Sequence, residues 1–489
     1  MTITMIFLPI LLGIVLLVMK DFKERKYLIV LTGVYMTFCA IPAILNVARP
    51  ENHLTLFRLT KSLPISFGFD TIGRIFAAVT IVVWLMAGLF SFTYMSHEKN
   101  EKRYYGFFLI VFGVLMGLCS ASNMITYYIF FELLTLTSMP LVLHNQSHEA
   151  IMAALKYMFY SFCGAYMALF GLYFLFKYGF TLSFMASADG VLDQLLIAQN
   201  GMGKFVPVAA LLMVLGFGVK AGMFPMHAWL PTAHPVAPAP ASAFLSAIIV
   251  KAGVLGIIRS IYNMFGINNL RGTWFQTVWM ILALVTVFMG SMLAYREKVL
   301  KKRLAYSTVS QVSYILFGLS LMQPVAFMGS LLHVAAHAFI KSALFLSAGA
   351  IIFKTGNTKV DDLRGIGKDM PITIWCYTIV SLGLIGIPPT AGFVSKWYLC
   401  QGALEAGVGA ISYVGPVVLL LSALLTAGYL LPITMKGFFP GADYKPVKRE
   451  PDLRMLIPLI VLAVLTLLLG LLPNGFVNAL KDAVNALFV

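Results

Sequence analysis

The chain has 489 residues, of which 60% are hydrophobic and only 11% are charged. A soluble domain carries about 25% charged residues, so this composition excludes an ordinary soluble protein. The apolar runs are about 20 residues long, the length of a membrane-spanning helix, and the sequence lacks the alternating pattern of a membrane β-barrel. We therefore predict an all-α polytopic membrane protein, since helices satisfy their own backbone hydrogen bonds in lipid.

Apolar runs follow one another along the chain, and each predicts one transmembrane helix. The fourteen runs lie at 3–19, 27–47, 71–95, 105–121, 122–144, 153–176, 205–224, 239–259, 276–295, 308–322, 325–353, 371–395, 412–434 and 455–473. Charged residues rather than a small-residue cleavage site follow the first run, which predicts a retained helix and not a signal peptide. We also expect a short surface helix within 191–199 and an interfacial helix at the C-terminal end, with Asn474 as its N-cap.

The formal net charge of +16 would suit a nucleic-acid partner, but the basic residues are distributed as in a membrane protein. The odd-numbered loops hold 21 of the 35 Lys and Arg residues, whereas the even-numbered loops and the tails hold 8. Those odd loops are 20–26, 96–104, 145–152, 225–238, 296–307, 354–370 and 435–454. The positive-inside rule places them in the cytoplasm and both termini outside the cell (inner) membrane. We expect this positive charge to interact with a lipid bilayer and not with a nucleic acid.

Six basic residues remain inside the predicted spans, where a charge costs roughly 2.5–3.5 kcal/mol on insertion scales. Among them are Arg74, Lys156, Lys220, Lys251 and Lys341, and Lys396 directly follows the twelfth run. Among the 19 acidic residues only Glu132 falls well inside a span, and Asp70 lies at the mouth of the third. Asp70 and Arg74 are four residues apart, which predicts a local ion pair. The excess of lysines is the feature that most strongly indicates a function.

No cofactor or metal is expected in this chain. None of the five cysteines has a partner at CxxC spacing, which argues against an iron–sulfur or zinc site. No Walker loop or GxGxxG motif is present. His333 and His337 are four residues apart and could bind metal, but no HExxH acid or third ligand accompanies them. We prefer a proton relay with Lys341, and ordinary core histidines are the alternative.

Two spans contain helix breakers next to a lysine. Lys220 is followed by Gly222 and Pro225, and "GIPPTAGFVSK" ends at Lys396. Proline removes a helical hydrogen bond, so both spans are expected to be broken. The breaks are five spans apart, which predicts two inverted five-helix repeats like those of transporters, although Gly and Pro are also frequent in membrane helices generally. The predicted units are three N-terminal helices in 1–104, repeats in 105–260 and 261–434, and a last helix in 435–489.

Several stretches together resemble one family. They are "FFELL", "KAGMFPMHAWLPTAHPVAPAPASAFLSAIIVKAGVLGIIR", "KKRLAYSTVSQVSYI", "LLHVAAHAFIKSALFLSAG", "DDLRGIGKDMP" and "GIPPTAGFVSKW". They resemble the antiporter-like subunits of respiratory complex I, Mrp cation/proton antiporters and membrane-bound energy-converting hydrogenases, over roughly residues 65–470. The resemblance implies fourteen helices, two inverted repeats, broken seventh and twelfth helices, and other membrane subunits as partners.

The resemblance also assigns roles to single residues. Glu132 matches the carboxylate of the fifth helix, Lys220 the lysine at the break of the seventh, and Lys251 the lysine of the eighth. Lys396 matches a position in the twelfth helix that is lysine in some members and glutamate in others, which makes the complex I type with glutamate a poorer match. His337 and Lys341 match a motif of the eleventh helix. The sequence shows no counterpart of the long lateral helix of the largest complex I member.

Other polar residues are open to two interpretations. The buried lysines could snorkel to an interface instead of acting in transport, although Lys251 starts deep within its span. His227 and His234 flank a proline-rich loop and are candidates for the proton-uptake path. Lys156 is either a relay member or an interfacial anchor. His144 and His148 are expected to form a solvated pair in a loop.

These observations predict a proton-translocating subunit of an electron-transfer-linked pump. Sodium prefers several oxygen ligands, whereas the predicted spans carry lysines and one carboxylate, which suits protons. Protons would enter near the seventh or eighth helix and pass Lys220, Lys251 and the His333–His337–Lys341 region to Lys396, with Glu132 as the switch. The alternatives are an Mrp-type sodium/proton antiporter subunit and a non-conducting structural subunit. No redox centre is expected here, so any oxidoreductase activity would belong to the whole complex.

Overall fold

The computed structural model describes residues 2–49, 53–60 and 63–488. The first half of this part contains a bundle of helices and a two-stranded antiparallel hairpin. Its elements are α1 (Thr2–Val18), α2 (Arg25–Val47), β1 (Leu54–Thr60), β2 (Leu63–Phe67), α3 (Thr71–Tyr94), α4 (Glu101–Cys119), α5 (Met124–Val142), α6 (His148–Tyr178), α7 (Gln194–Gln199), α8 (Val206–Ala221), α9 (Leu230–Val236), α10 (Ala239–Phe244) and α11 (Val250–Ser260).

The second half is helical. It contains α12 (Trp274–Arg296), α13 (Leu300–Ser320), α14 (Pro324–Thr355), α15 (Ile366–Asp369), α16 (Pro371–Ile385), α17 (Ala391–Glu405), α18 (Ile411–Phe438), α19 (Leu453–Leu471) and α20 (Pro473–Phe488). A π-helical turn, Leu245–Ile249, joins α10 to α11, and a second one, Ile261–Phe265, continues α11. Helix α10 through the second π turn therefore forms one uninterrupted span, and it is completely buried.

Eleven helical segments in the described part of the chain are long and apolar enough to cross a bilayer, and the shorter apolar helices α1 and α16 accompany them. The chain is therefore a multi-pass membrane protein, as its composition predicts. Helices α13 and α17 fall in predicted spans but are not among the eleven. A total of fourteen spans, and the inverted repeats, stay predictions.

Helix α14 lies at the centre of the molecule. Nearly all of its residues from Ala326 to Ile351 are buried, and it contacts α3, α10, α13, α16, α17 and α19. A helix that is apolar on all sides is expected in the interior of a bundle. Alanines such as Ala335, Ala336 and Ala343 let neighbouring backbones approach closely. The polar residues of α14 are therefore presented to the interior and not to lipid.

Several helix boundaries differ from the prediction; for example, the helix in the twelfth predicted span continues to Glu405 instead of ending at 395, and charged and proline-rich segments turn out to be helical. Helix α13 begins at Leu300 instead of 308, so Lys301 and Arg303 lie within it. Arg303 donates to the backbone oxygens of Glu297 and Tyr429. These hydrogen bonds satisfy its guanidinium, so the residue can lie in a helix instead of a loop. Helix α9 occupies the predicted loop 225–238, and the span that starts at 239 continues past 259.

The surface elements confirm one prediction and correct another. The short helix expected within 191–199 is α7, which is capped by the Asp193 side chain accepting from the Leu196 N–H at 3.0 Å. Helix α20 begins at Pro473, so Asn474 lies inside it and is not its N-cap. The hairpin of β1 and β2 was not predicted, since its strands are short and lie between apolar helices.

The predicted Asp70–Arg74 pair is wrong, because Asp70 binds Arg259 of α11. The Arg259 guanidinium is 2% exposed and donates from Nη1 and Nη2 to the two carboxylate oxygens, at 2.6 Å each. Asp70 also caps α3 by accepting from the Gly73 N–H at 2.8 Å. Nε and Nη2 of Arg74 have no hydrogen-bond partner among the described residues. A guanidinium that donates two parallel hydrogen bonds binds a carboxylate more strongly than a side chain four residues away on the same helix does.

The predicted loop pair of histidines is also wrong. His148 is exposed, but His144 is 2% exposed and packs edge-on against the ring of Tyr104. Burial, with the nearby charge of Arg103, lowers the pKa of His144 to about 4. The ring is therefore neutral at pH 7 and belongs to the packing of the loop between α5 and α6.

Removing one partner of the Asp70–Arg259 pair is expected to destabilise the fold. Asp70→Asn keeps the side-chain shape but leaves the Arg259 charge buried without a counter-ion, which should lower the free energy of unfolding by about 3 kcal/mol. The measurement is denaturant unfolding in detergent micelles, followed by circular dichroism. Asp361→Asn is the matched control, because the Asp361–Lys436 pair is exposed and its loss should leave stability unchanged. Equal stabilities for the two variants would contradict this account.

Candidate functional site

Polar side chains from the π turn before α11 and from α11, α13, α14 and α17 form a row through the interior, and we call this row the central chain. Some neighbours in the row are joined by hydrogen bonds, whereas Ser307 and Thr308, like Ser395 and Lys396, are adjacent in sequence. All members except Lys396 are buried. In spatial order they are Lys341, Ser307, Thr308, Ser246, Lys251, His337, His333, Ser395 and Lys396. The structure thus brings together five of the residues predicted for the proton path.

Lys341 of α14 begins the central chain. Its ammonium donates to the backbone oxygen of Leu304 at 3.0 Å and to the hydroxyl of Ser307, both on α13. Thr308 is the next residue of α13, and its hydroxyl lies 2.7 Å from that of Ser246. A fully buried ammonium is thereby supplied with two acceptors from α13.

Lys251 occupies the middle of the central chain, directly after the π turn. Its ammonium donates to the backbone oxygen of Ser246 at 3.1 Å and lies 2.5 Å from Nδ1 of His337. π turns interrupt the regular pattern of helical hydrogen bonds and are frequent at functional sites. Here the turn places a backbone acceptor and an imidazole around one lysine that is 2% exposed.

The histidines lead from Lys251 to Lys396. The rings of His337 and His333 have centroids 6.0 Å apart, and Nδ1 of His333 lies 2.9 Å from the Ser395 hydroxyl. Lys396 follows in sequence and donates to the backbone oxygens of Leu384 and Ile385 at 2.6 and 2.8 Å. Those oxygens end α16, where carbonyl groups lack helical partners and the helix dipole is negative.

A metal is not needed to explain the two histidines. Each Nδ1 has a lysine or serine partner, and each Nε2 has no hydrogen-bond partner among the described residues. Within that part of the chain, no group of three or more His, Cys, Asp or Glu side chains could hold a metal ion. The surroundings of the rings favour proton exchange with amines and hydroxyls.

Lys220 and Glu132 lie apart from the central chain and do not form a direct ion pair. Lys220 is fully buried in the last turn of α8, where its ammonium donates to the Thr135 hydroxyl at 2.5 Å and faces the ring of Phe131 at 4.5 Å. Glu132, also on α5, is half-buried, and its Oε1 has no partner. The described residues contain no Glu132–Lys220 contact within 4.0 Å, although the two charges are close enough to interact.

An aromatic cluster separates Lys220 from Lys251. Phe131, which faces Lys220, lies edge-on to Phe217 with centroids 4.9 Å apart, and Phe217 lies 5.8 Å from Tyr127. The Tyr127 hydroxyl donates to the backbone oxygen of Ala252, the residue after Lys251. Among the described residues no chain of hydrogen bonds joins the two lysines, so the aromatic cluster interrupts the predicted path.

The candidate uptake residues divide between the two sites. Lys156 of α6 donates to the Thr232 hydroxyl of α9 at 3.1 Å, and His227 lies half-buried in the break between α8 and α9. His234 is fully buried in α9, with its ring stacked on Phe345 at 4.7 Å, close to the Lys341 end of the central chain. The structure therefore does not collect these three residues into one path.

Sequence reasoning missed the uncharged members of the site and one lysine. The hydroxyls of Thr135, Ser246, Ser307, Thr308 and Ser395 were passed over, because serine and threonine are common in membrane helices. Lys301, assigned to a loop, is 7% exposed and donates to the backbone oxygens of Pro235 and Ala237. A helical reading of "KKRLAYSTVS" would have placed Lys301, Ser307 and Thr308 on one element.

Comparisons with known proteins identify the family of this chain. Residues 121–426 match the family model described as NADH:quinone oxidoreductase/Mrp antiporter, TM. The chain is 32% identical over 395 residues to NADH-quinone oxidoreductase subunit N of Desulforudis audaxviator, covering 78% of this chain and 76% of that protein. It is 30% identical over 444 residues to F(420)H(2) dehydrogenase subunit N of Methanosarcina mazei, covering 88% and 85% of the two chains.

Similarity also extends to antiporter subunits. The chain is 28% identical over 403 residues to a Na(+)/H(+) antiporter subunit of Bacillus subtilis, covering 82% of this chain and 79% of that one. Among solved structures, a chain of the Mrp complex from a Dietzia species superposes with a TM-score of 0.85 at 22% identity, covering 100% and 97% of the two chains. That structural likeness establishes the shared fold.

Proposed function

The chain belongs to the family of NADH:quinone oxidoreductase and Mrp antiporter membrane subunits, and we propose that it translocates protons as one subunit of an electron-transfer-linked pump. Two of its relatives carry the names of redox-complex subunits, one for NADH and quinone and one for F(420)H(2). In this proposal the electron-transfer reaction and its cofactors belong to other subunits. This chain contributes the route for protons and binds no cofactor or metal of its own.

The central chain is the observation that carries the proposal. Proton transfer requires donors and acceptors within hydrogen-bond reach, and an amine or imidazole can accept and release a proton. Hydroxyls and the rings of His337 and His333 lie between Lys341, Lys251 and Lys396. Lys341 and Lys251 are buried, and Lys396 is half-buried. An apolar core would fold without these groups, whose burial is costly, so transport is the best reason for their presence.

Glu132 is proposed to be the switch. Its carboxylate is half-buried on α5, beside the exposed apolar residues Leu133 and Leu136, and α6 next to it exposes Phe159 and Phe170. An exposed apolar face of this kind suits another membrane subunit of the complex. A charge brought up by that neighbour would act on Glu132, and through it on Lys220, since interactions between charges are strong where water is excluded.

The two broken helices support the predicted internal symmetry. Lys220 lies in the last turn of α8, directly before the break at 222–229, and Lys396 reaches back across the break at 386–390 to the last carbonyls of α16. Helix ends of this kind build ion sites in transporters made of inverted repeats. We accordingly propose fourteen helices with two inverted five-helix units, in the cell (inner) membrane with both termini outside.

Two alternatives remain, and each has its own support. A sodium/proton antiporter subunit is favoured by the name of the Bacillus subtilis relative. The described part of the central chain contains amines, imidazoles and hydroxyls but no carboxylate, whereas sodium prefers several oxygen ligands. A structural subunit would explain the packing of the helices, but it would leave the row of buried lysines without a purpose.

Neutralising the switch is expected to abolish coupled pumping. Glu132→Gln keeps the size of the side chain but removes the charge that acts on Lys220, so proton transport should fall by about 10²-fold or more while the complex still assembles. The measurement is the quenching of a pH-sensitive dye in membrane vesicles that carry the assembled complex. Glu149→Gln, which changes an exposed carboxylate at the start of α6, is the control and should pump normally. Normal pumping by Glu132→Gln would refute the switch.

Interrupting the central chain is expected to stop transport whichever complex contains it. Lys251→Ala and Lys396→Ala each remove an amine that no neighbouring hydroxyl can replace, so both variants should lose transport in the same vesicles. Lys204→Ala removes an exposed lysine and should have no effect. A purely structural subunit would tolerate all three substitutions, and that result would overturn the proposed function.

The driving reaction separates the redox-linked pump from the antiporter. Transport by a redox-linked pump should require an electron donor and should stop when the electron-transfer site is blocked. Transport by an antiporter should follow an imposed sodium or proton gradient with no donor present. Sodium-dependent transport that persists without a donor would favour the antiporter alternative.

A further inference from the structure

A polar cavity of about 200 Å³ opens on the predicted cytoplasmic side, and we call it the vestibule. Loops that the positive-inside rule assigns to that side converge on it: Glu98 belongs to 96–104, Asn145 to 145–152, Pro235 to 225–238, Lys301 to 296–307 and Thr358 to 354–370. A liquid water molecule occupies about 30 Å³, so the vestibule has room for several waters. It is therefore a place where the surface and the interior can be joined by water.

Opposite charges face each other across the vestibule. Lys301 is 7% exposed, and Glu98 is partly exposed. Their side chains do not approach within 4.0 Å, and the Glu98 carboxylate has no hydrogen-bond or ion-pair partner among the described residues. A carboxylate in this position attracts cations, including protons, into the cavity because the walls of a cleft concentrate its field.

Lys301 also contacts the end of α9, next to His234 in sequence. It donates to the backbone oxygens of Pro235 and Ala237, which end α9, and His234 precedes Pro235 on the same helix. Both ring nitrogens of His234 are buried and have no partner among the described residues. Lys341 binds Leu304 and Ser307, one and two turns beyond Lys301 on α13. The His234 ring is stacked on that of Phe345, which lies one turn after Lys341 on α14.

We propose that the vestibule is the proton-uptake site of this chain, with Lys301 passing protons from its water to His234 and on to Lys341. This inference rests on the proposed function and adds where the proton enters. In the first step a Lys301 N–H bond breaks as an N–H bond forms on the His234 imidazole, and Lys301 is protonated again from vestibule water. In the second step an imidazole N–H bond breaks as an N–H bond forms on a neutral Lys341 amine. His227 and Lys156, at the α8–α9 break, then lie outside the uptake route.

A charge-conserving substitution separates proton transfer from structural support. Lys301→Arg keeps the charge and can still donate to the carbonyls that end α9, but a guanidinium does not release its proton. Proton transport should fall by about 10²-fold or more, with normal assembly and an unchanged melting temperature. The neighbouring Lys302→Arg is the matched control, because Lys302 is 41% exposed and pairs with Glu297 at the surface.

A second variant tests the carboxylate without disturbing the fold. Glu98→Gln should lower the transport rate severalfold at low ionic strength, and the loss should shrink as salt screens the field of the vestibule. Both experiments use a pH-sensitive dye in vesicles that carry the assembled complex, with the amount of this chain measured by immunoblotting. Equal rates for Glu98→Gln and wild type at every salt concentration would remove Glu98 from the proposal.

Lys251→Ala, measured in the same preparations, distinguishes a failure of the proposed uptake site from a failure of the proposed function. If Lys251→Ala is inactive and Lys301→Arg transports at the wild-type rate, the uptake site is wrong and the proposed function stands. If Lys251→Ala also transports normally, the proposed function itself is wrong. Loss of transport in Lys301→Arg and Lys251→Ala, with normal assembly and a normal rate for Lys302→Arg, is the result that supports the inference.

Discussion

The cost of holding a charged amine away from water governs this structure. Lys220, Lys251, Lys341 and Lys396 lie in the interior, and each ammonium is met by hydroxyl or backbone oxygens. A buried polar group without such partners costs several kcal/mol in an apolar medium, so the surrounding helices must supply acceptors at fixed places. The positions of the amines and the irregularities of the helices therefore both follow from the need to supply each ammonium with hydrogen-bond acceptors.

Irregular backbone is concentrated where those acceptors are needed. The break after α16 leaves carbonyls for Lys396, the end of α9 supplies them to Lys301, and the π turn before α11 lies beside the acceptor of Lys251. A regular helix consumes its carbonyls internally, whereas a helix end leaves the last four free. Non-helical backbone at membrane depth is tolerated only where it is enclosed by protein or lines a water-filled cavity.

Much of this arrangement could be predicted from sequence, because it follows from local signals. Apolar runs of spanning length indicated most of the helices, and Gly and Pro near Lys220 and Lys396 indicated the breaks. Partnerships between distant segments could not be derived in the same way. Arg259 binds Asp70 across 189 positions of sequence, and Lys301 belongs to a helix although its charge suggested a loop. Which hydroxyl meets which amine depends on packing and leaves no periodic signal.

The region between Lys220 and Lys251 is filled by the aromatic side chains of Phe131, Phe217 and Tyr127. A proton cannot hop through stacked and edge-on rings that offer no hydrogen bond, yet an electric field crosses such a low-dielectric layer with little loss. In the proposed function, a charge arriving at Lys220 would thus alter the energy of a proton at Lys251 without the two sites exchanging one. The membrane potential would then not be short-circuited while the signal is transmitted.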